Sequence, residues 1–231
     1  MDTVVDVGTA MMRFLSALGG FNERHPWSHN DAYAPWVLWH ARQVCHHEGS
    51  SALDIGCGTG NLVRKLAGVM GDVAGIEQDR ETAARAQANV SGIENATVRE
   101  ESFDLTRASQ PRYDLVSFIA VLHHLPLAPA LQAARSLLRP GGRLVIVGLA
   151  QETSADLPWS LASVFLNAGI GAIRHPRRAH ATPPNMMAPT AQPLETFEQI
   201  RETARAVVPG VKMRRALFWR YTAVWEAPPA R

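Results

Sequence analysis

Cysteine is scarce in this 231-residue chain: there are two, Cys45 and Cys57. Two thiols give no disulfide framework, and a reducing cytoplasmic setting is the expected compartment. Long hydrophobic runs are also missing, so no segment approaches the length needed to cross a bilayer. The first residues carry no charged stretch ahead of an apolar core, so no signal peptide is expected. Charge of one sign is missing as well. The formal net charge is +2, too small to argue for nucleic acid or a membrane surface as partner. No internal repeat is visible. What remains is the balance of an ordinary globular protein, 46% hydrophobic and 19% charged, at a length that suits one domain or one domain with a cap.

The chain is organised around Ala52-Leu53-Asp54-Ile55-Gly56-Cys57-Gly58-Thr59-Gly60-Asn61-Leu62. The short apolar run to Ile55 suits a strand buried on both faces of a parallel sheet. Three alternating glycines, Gly56, Gly58 and Gly60, then allow backbone to turn sharply and approach a ligand. A helix starting at Asn61 would offer its unpaired N–H groups there. A second apolar run, Asp72-Val73-Ala74-Gly75-Ile76, ends at Glu77-Gln78-Asp79. That places an acid about 20 residues beyond the glycines, at the tip of a neighbouring strand, where a carboxylate can accept from both hydroxyls of a ribose. The glycines fit the dinucleotide pattern poorly. They read G-x-G-x-G, with Asn61 where a third glycine would stand, and Asp54 would repel a pyrophosphate. A cationic or zwitterionic ligand tolerates Asp54.

These stretches, with Tyr113-Asp114-Leu115-Val116, Val121-Leu122-His123-His124-Leu125 and Leu138-Arg139-Pro140-Gly141-Gly142-Arg143-Leu144-Val145-Ile146, resemble the ordered motifs of the class I S-adenosylmethionine (SAM) dependent methyltransferases. The resemblance covers roughly residues 50–150 and implies an α/β fold: a doubly wound, mostly parallel seven-stranded sheet closed by a C-terminal antiparallel hairpin, with an N-terminal helical cap. It implies SAM as cofactor, with Asp54 orienting the amino-acid part, Gly56, Gly58 and Gly60 passing beneath it, and Glu77 and Gln78 at the ribose. Glu101 and Ser102 would meet the adenine, and Ile119 would run past the methionine part. Tyr33 is the loose match for a tyrosine that covers the cofactor in related enzymes.

The expected division is a helical and aromatic cap over residues 1–48, a SAM-binding core over 49–150, an insert over the active site at 151–192, and a closing helix and hairpin at 193–231. Residues 1–20 have amphipathic helical spacing. Phe21, His25, Trp27, His29, Tyr33 and Trp36 crowd a short segment that suits a wall around an organic ligand, or a cap that packs by aromatic burial. Ala34 to His47 reads as a helix, and His46-His47-Glu48 as its solvated end rather than a metal site; no metal is expected. Helices are expected at Asn61–Val69, Arg80–Val90, Ala128–Leu138, Pro158–Leu166 and Leu194–Val207. Strands are expected at Ala96–Arg99, Asp114–Ala120, Arg143–Gly148, Val211–Leu217 and Tyr221–Glu226. His123, with His124 beside it, lies where open α/β sheets place their chemistry, and is the candidate to take a proton from the acceptor. An ordinary structural role explains such a pair equally well. The basic cluster Arg174-His175-Pro176-Arg177-Arg178 reads as an anion contact or a solvated loop.

The expected activity is methyl transfer to O, N or C of a small organic molecule. The low charge and the aromatic cap weigh against an RNA or protein acceptor. A repurposed SAM-binding member without methyl transfer and, through the shared strand–glycine–acid arrangement, an NAD-dependent oxidoreductase are the competing classes. An oligomer is compatible with everything in the sequence.

Overall fold

The computed structural model describes residues 29–45, 49–106, 113–174 and 192–229. The expected helix over residues 1–20, the ring-bearing Phe21, His25 and Trp27, the His46-His47-Glu48 triplet and most of the basic cluster lie outside them. In chain order the elements are α1 (His29–Val44), β1 (Ser51–Ile55), α2 (Asn61–Ala67), β2 (Asp72–Glu77), α3 (Arg80–Val90), β3 (Ala96–Glu100), β4 (Tyr113–Ile119), α4 (Leu127–Leu137), β5 (Leu138–Gly148), α5 (Leu157–Arg174), α6 (Phe197–Val207), β6 (Lys212–Ala216) and β7 (Arg220–Glu226). Short 3-10 turns occupy Leu122–His124 and Ser154–Asp156.

The sheet has seven strands in the order β3-β2-β1-β4-β5-β7-β6. β1 to β5 pair in parallel, and β7 runs antiparallel to both β5 and β6. β1 is buried along its whole length, as a central strand covered on both faces must be. Alternation sorts its side chains: Leu53 and Ile55 face one core, with Val116, Phe118, Leu144 and Ile146, under α4 and α6. Ala52 faces the other, with Val73, Leu115, Val145 and Val147, under α1, α2 and α3. Each large aliphatic side chain so buried contributes about 1.5–3 kcal/mol. At the opposite end from the glycine turn, the Asp114 carboxylate accepts from the Ser51 N–H at 2.8 Å and from Arg139 at 2.7 Å, pinning the start of β1.

Several bounds differ from the sequence reading. α1 begins at His29, not Ala34, and carries Pro35 at its seventh position, where the missing N–H removes one i→i−4 hydrogen bond. α5 extends to Arg174 rather than stopping at Leu166. α6 starts at Phe197 because Thr196 and Gln199 form a capping box that fixes its first turn. Residues 138–142, read as a turn, join β5 through an irregular register with β4. No helix among the described residues is long and apolar enough to cross a membrane.

Candidate active site

β1 ends in a turn that only glycine can make comfortably. Gly56 has φ +65°, and a Cβ there would lie 2.3 Å from Cγ2 of Val121. Gly60 has φ +76° and caps α2. Gly58 stands between them with open space before it. The turn, the tips of β2 and β4, and one face of α1 enclose a cavity of about 220 Å³. It lies at the carboxyl ends of the strands where β1 separates β2 from β4, the point at which the winding of the chain reverses. Open α/β sheets bind ligands in that crevice.

Two carboxylates define the cavity's chemistry. Asp54 is buried, and Ser117 Oγ donates to it at 2.6 Å. Burial pushes its carboxyl up to about 7, the Ser117 hydrogen bond opposing and the nearby Glu77 charge adding to the rise. Glu77 is held on both oxygens: Gly58 N–H donates to Oε2 at 3.0 Å and Asp79 N–H to Oε1 at 3.0 Å. A carboxylate has about four acceptor sites, so each oxygen keeps capacity for a ligand hydroxyl. Gln78, Asp79 and Thr82 continue this wall, and Ile119, Ala120, Val121 and His124 form the wall from β4. Ala120 is held at φ +56°, an uncommon conformation outside glycine and one that clusters at functional sites.

α1 closes one side with Asn30, Asp31, Ala34 and Val37. It is fastened to α2 by Asp31, which accepts from Lys65 Nζ at 2.7 Å and from the Asn61 amide. Asn61 and Lys65 are one helical turn apart and therefore share a face. That spacing, and the acid two residues before Tyr33, are the signals by which this clamp was discoverable; the sequence reading assigned neither.

Of the expected site residues, Asp54, Gly56, Gly58, Glu77, Gln78 and Ile119 line the cavity, and Gly60 begins the helix beneath it. Four others stand elsewhere. The Tyr33 hydroxyl donates to the Leu217 carbonyl at 2.7 Å, outside the cavity wall, and burial pushes the phenol up to about 12. Glu101 donates its N–H to the Glu77 carbonyl at 2.9 Å, and its carboxylate accepts from Arg99 Nε at 3.0 Å. Ser102 is exposed. The two histidines part company although their rings are 4.1 Å apart: His124 lines the cofactor-sized cavity, whereas His123 lines a separate one of about 310 Å³ with Leu125, Leu149 and Tyr221.

The profile of the methyltransferase domain family matches residues 9–182. The chain belongs to that family. The methyltransferase is 30% identical over 179 residues to an uncharacterized methyltransferase of Mycobacterium tuberculosis, covering 76% of this chain and 86% of the relative. It is 34% identical over 112 residues to the ubiquinone biosynthesis O-methyltransferase of Paraburkholderia phytofirmans, 46% of each chain. In fold it resembles the N-methyltransferase NodS of Bradyrhizobium japonicum, with a TM-score of 0.55 at 15% identity over 86% of this chain and 96% of that one. It likewise resembles the structure of a DhpI–SAH complex, with a TM-score of 0.54 at 19% identity over 87% and 86%. These likenesses establish a class I methyltransferase with the Rossmann-like sheet.

Proposed function

We propose that this chain is a SAM-dependent methyltransferase acting on an O, N or C atom of a small organic molecule. The observation that carries the reading is the pair of carboxylates, Asp54 and Glu77, set around the glycine turn. A buried carboxylate with only a hydroxyl donor favours a cationic ligand. Glu77, anchored by two backbone N–H groups, retains lone pairs suited to a ribose diol. Asp54, beside the glycine turn, disfavours a pyrophosphate, which separates this site from a dinucleotide one. SAM bound there supplies a methyl group on a sulfonium, a very good leaving group.

The chain's own residues hold and exclude. Asp54 faces the amino-acid end, the glycine turn lies beneath it, and Glu77 and Gln78 hold the ribose. α1, clamped by Asp31 to Lys65, shields one side from water. Alignment of this kind removes ~7–11 kcal/mol of barrier in the best intramolecular cases. His124, on the cavity wall beyond β4, is the residue placed to accept a proton from an acceptor hydroxyl or amine, a role that typically contributes about 10²–10⁴-fold. The O-methyltransferase relative, named for ubiquinone biosynthesis, supports an organic acceptor.

Titration calorimetry of the full chain with SAM, S-adenosylhomocysteine (SAH) and NAD tests the reading. Micromolar binding of both adenosyl ligands and none of NAD is expected. NAD binding without either adenosyl ligand would overturn it.

A further inference from the structure

Beside the cofactor cavity stands a cation that has no counter-ion among the described residues. Arg220 opens β7, next to Tyr221, which pairs with Gly148 at the carboxyl end of β5. It therefore stands at the same edge of the sheet as the cofactor cavity, one strand beyond β5. Its Nε and one terminal nitrogen donate to Asn30 Oδ1 at 3.3 and 3.2 Å, and the other terminal nitrogen donates to the Phe218 carbonyl at 3.2 Å. Asn30 lines the cofactor cavity, while Arg220 lines a small adjoining one of about 30 Å³. The Arg220–Asn30 hydrogen bond thus links a wall of the small cavity to a wall of the larger one.

Every partner of this guanidinium is a neutral oxygen. Among the described residues no carboxylate pairs with it. Its neighbour in the small cavity, Arg215, is the opposite case: it is paired with Asp156 at 2.5 Å and Glu198 at 3.1 Å. A guanidinium has five N–H donors. Three are used, which leaves one on each terminal nitrogen, the pair that grips a carboxylate in fork geometry. Burial already pushes the guanidinium down to about 10, so it stays charged at neutral pH. A desolvated, charged group without an ion partner is costly unless a ligand completes it.

The backbone that presents Arg220 is strained. Phe218 and Trp219 adopt φ +58° and +57°, values that bulky residues rarely take. Three anchors hold the turn there: Ser163 Oγ of α5 accepts the Phe218 N–H at 2.7 Å, the Tyr33 hydroxyl of α1 bonds the Leu217 carbonyl, and the His29 ring stacks on Phe218 at 5.4 Å. Strain that is held from several sides characterises ligand clamps. Trp159, Phe197 and Trp219 give the small cavity apolar surface, and Glu152 and Asp156 also line it, the latter neutralised by Arg215.

We propose that Arg220 binds a carboxylate of the methyl acceptor, so that the acceptor is a small organic acid with an apolar body. This rests on the cofactor reading above. The small volume beside the guanidinium favours a flat carboxylate over a phosphate. A carboxylate can also come from the amino-acid end of the cofactor, and the test separates the two sources.

The full chain, saturated with SAH, is titrated with benzoate and phenylacetate, with benzamide and phenylacetamide as neutral controls and phenyl phosphate as the alternative anion. Expected is binding of a carboxylate probe at least about tenfold tighter than its amide, lost by about tenfold in Arg220→Gln, with SAH affinity unchanged. Where the Gln variant does not fold by circular dichroism, Arg220→Lys keeps the charge without the fork and is expected to weaken the probe about fivefold. The proposal is overturned if SAH binds but no carboxylate outcompetes its amide, if phenyl phosphate is preferred, or if the variant binds the probes as well as the parent does. Loss of SAH affinity in the variant assigns Arg220 to the cofactor instead. Failure of the parent chain to bind SAH refutes the cofactor reading itself, a result visible before any probe is added.

Discussion

Asp54 makes cofactor affinity depend on pH, and the dependence has a calculable size. Its carboxyl is raised from 3.8 to about 7, mainly by burial. A cationic group of the ligand favours the ionised form, so binding below pH 7 must first remove a proton. Each pH unit below the free-enzyme value costs about 1.4 kcal/mol. The SAH dissociation constant is therefore expected to be about tenfold weaker at pH 6 than at pH 8, and nearly flat above pH 8. At pH 7 about half a proton should leave per ligand bound, which calorimetry reads by comparing buffers of different ionisation enthalpy. The same shift has a sign for folding. The unfolded carboxyl ionises near 4 and the folded one near 7, so this group's contribution is fully present below pH 4 and is lost as pH rises through 7. Asp54→Asn removes the titrating group: the variant should bind SAH more weakly at pH 8 and show no pH slope between 6 and 8. A flat parent profile, or an equal slope in the variant, would refute the assignment of a cationic partner to Asp54.

Glu77→Ala is expected to weaken SAH binding at least tenfold, since a ribose left unpaired costs ~1–3 kcal/mol; an unchanged dissociation constant in titration calorimetry would move the ribose contact elsewhere. Gly148→Ala would set a Cβ 2.2 Å from Tyr221 Cζ. Overpacking of that kind costs about 1–3 kcal/mol or more, a fall in melting temperature on the order of 3–10 °C for a chain of this length, and an unchanged melt would contradict the packing described for β5 and β7. With an acceptor in hand, His124→Ala should lower kcat about tenfold or more while His123→Ala lowers it less; the reverse order would return the proton-accepting role to His123.

The cofactor half of the site was largely legible because its requirements are those of backbone. A buried strand needs a continuous apolar run, a tight left-handed turn needs glycine, and the next strand's tip falls at a fixed distance along the chain. Gly56 and Glu77 could be found from spacing, and the role of Asp54 came with the resemblance. Side-chain direction was less legible. Glu101 and Ser102 occupy the expected loop, yet Arg99, two residues before Glu101, takes its carboxylate at short range, a pairing within one strand end that no motif reports. His123 and His124 differ by one position, and a 3-10 turn sends them to different cavities. Tyr33 lay just outside the expected helix Ala34–His47; the helix in fact includes it, and its face toward the cavity carries Asn30, Asp31, Ala34 and Val37 instead.

The hairpin that presents Arg220 was illegible for a different reason. Consecutive residues at positive φ in a hairpin turn are ordinarily announced by Asn-Gly or Asp-Gly, and the β6–β7 turn, three residues long, has two. Here Phe218 and Trp219 take those places, so no turn signal stands between the expected strands Val211–Leu217 and Tyr221–Glu226. The conformation survives because Ser163, Tyr33 and His29 hold it from two helices, contacts that join residues more than fifty positions apart. Local rules fail where tertiary contacts override them, and in natural proteins such failures gather at functional sites. Asp54 and Glu77 make the glycine-turn side acidic, whereas the small cavity sets Arg215 and Arg220 against Glu152 and Asp156. Arg215 is paired with Asp156 and Glu198, so Arg220 is the cation of that cavity with no carboxylate partner among the described residues. On the proposed reading a positively charged methyl donor beside Asp54 would meet an acceptor carboxylate at Arg220, with Asn30 between them.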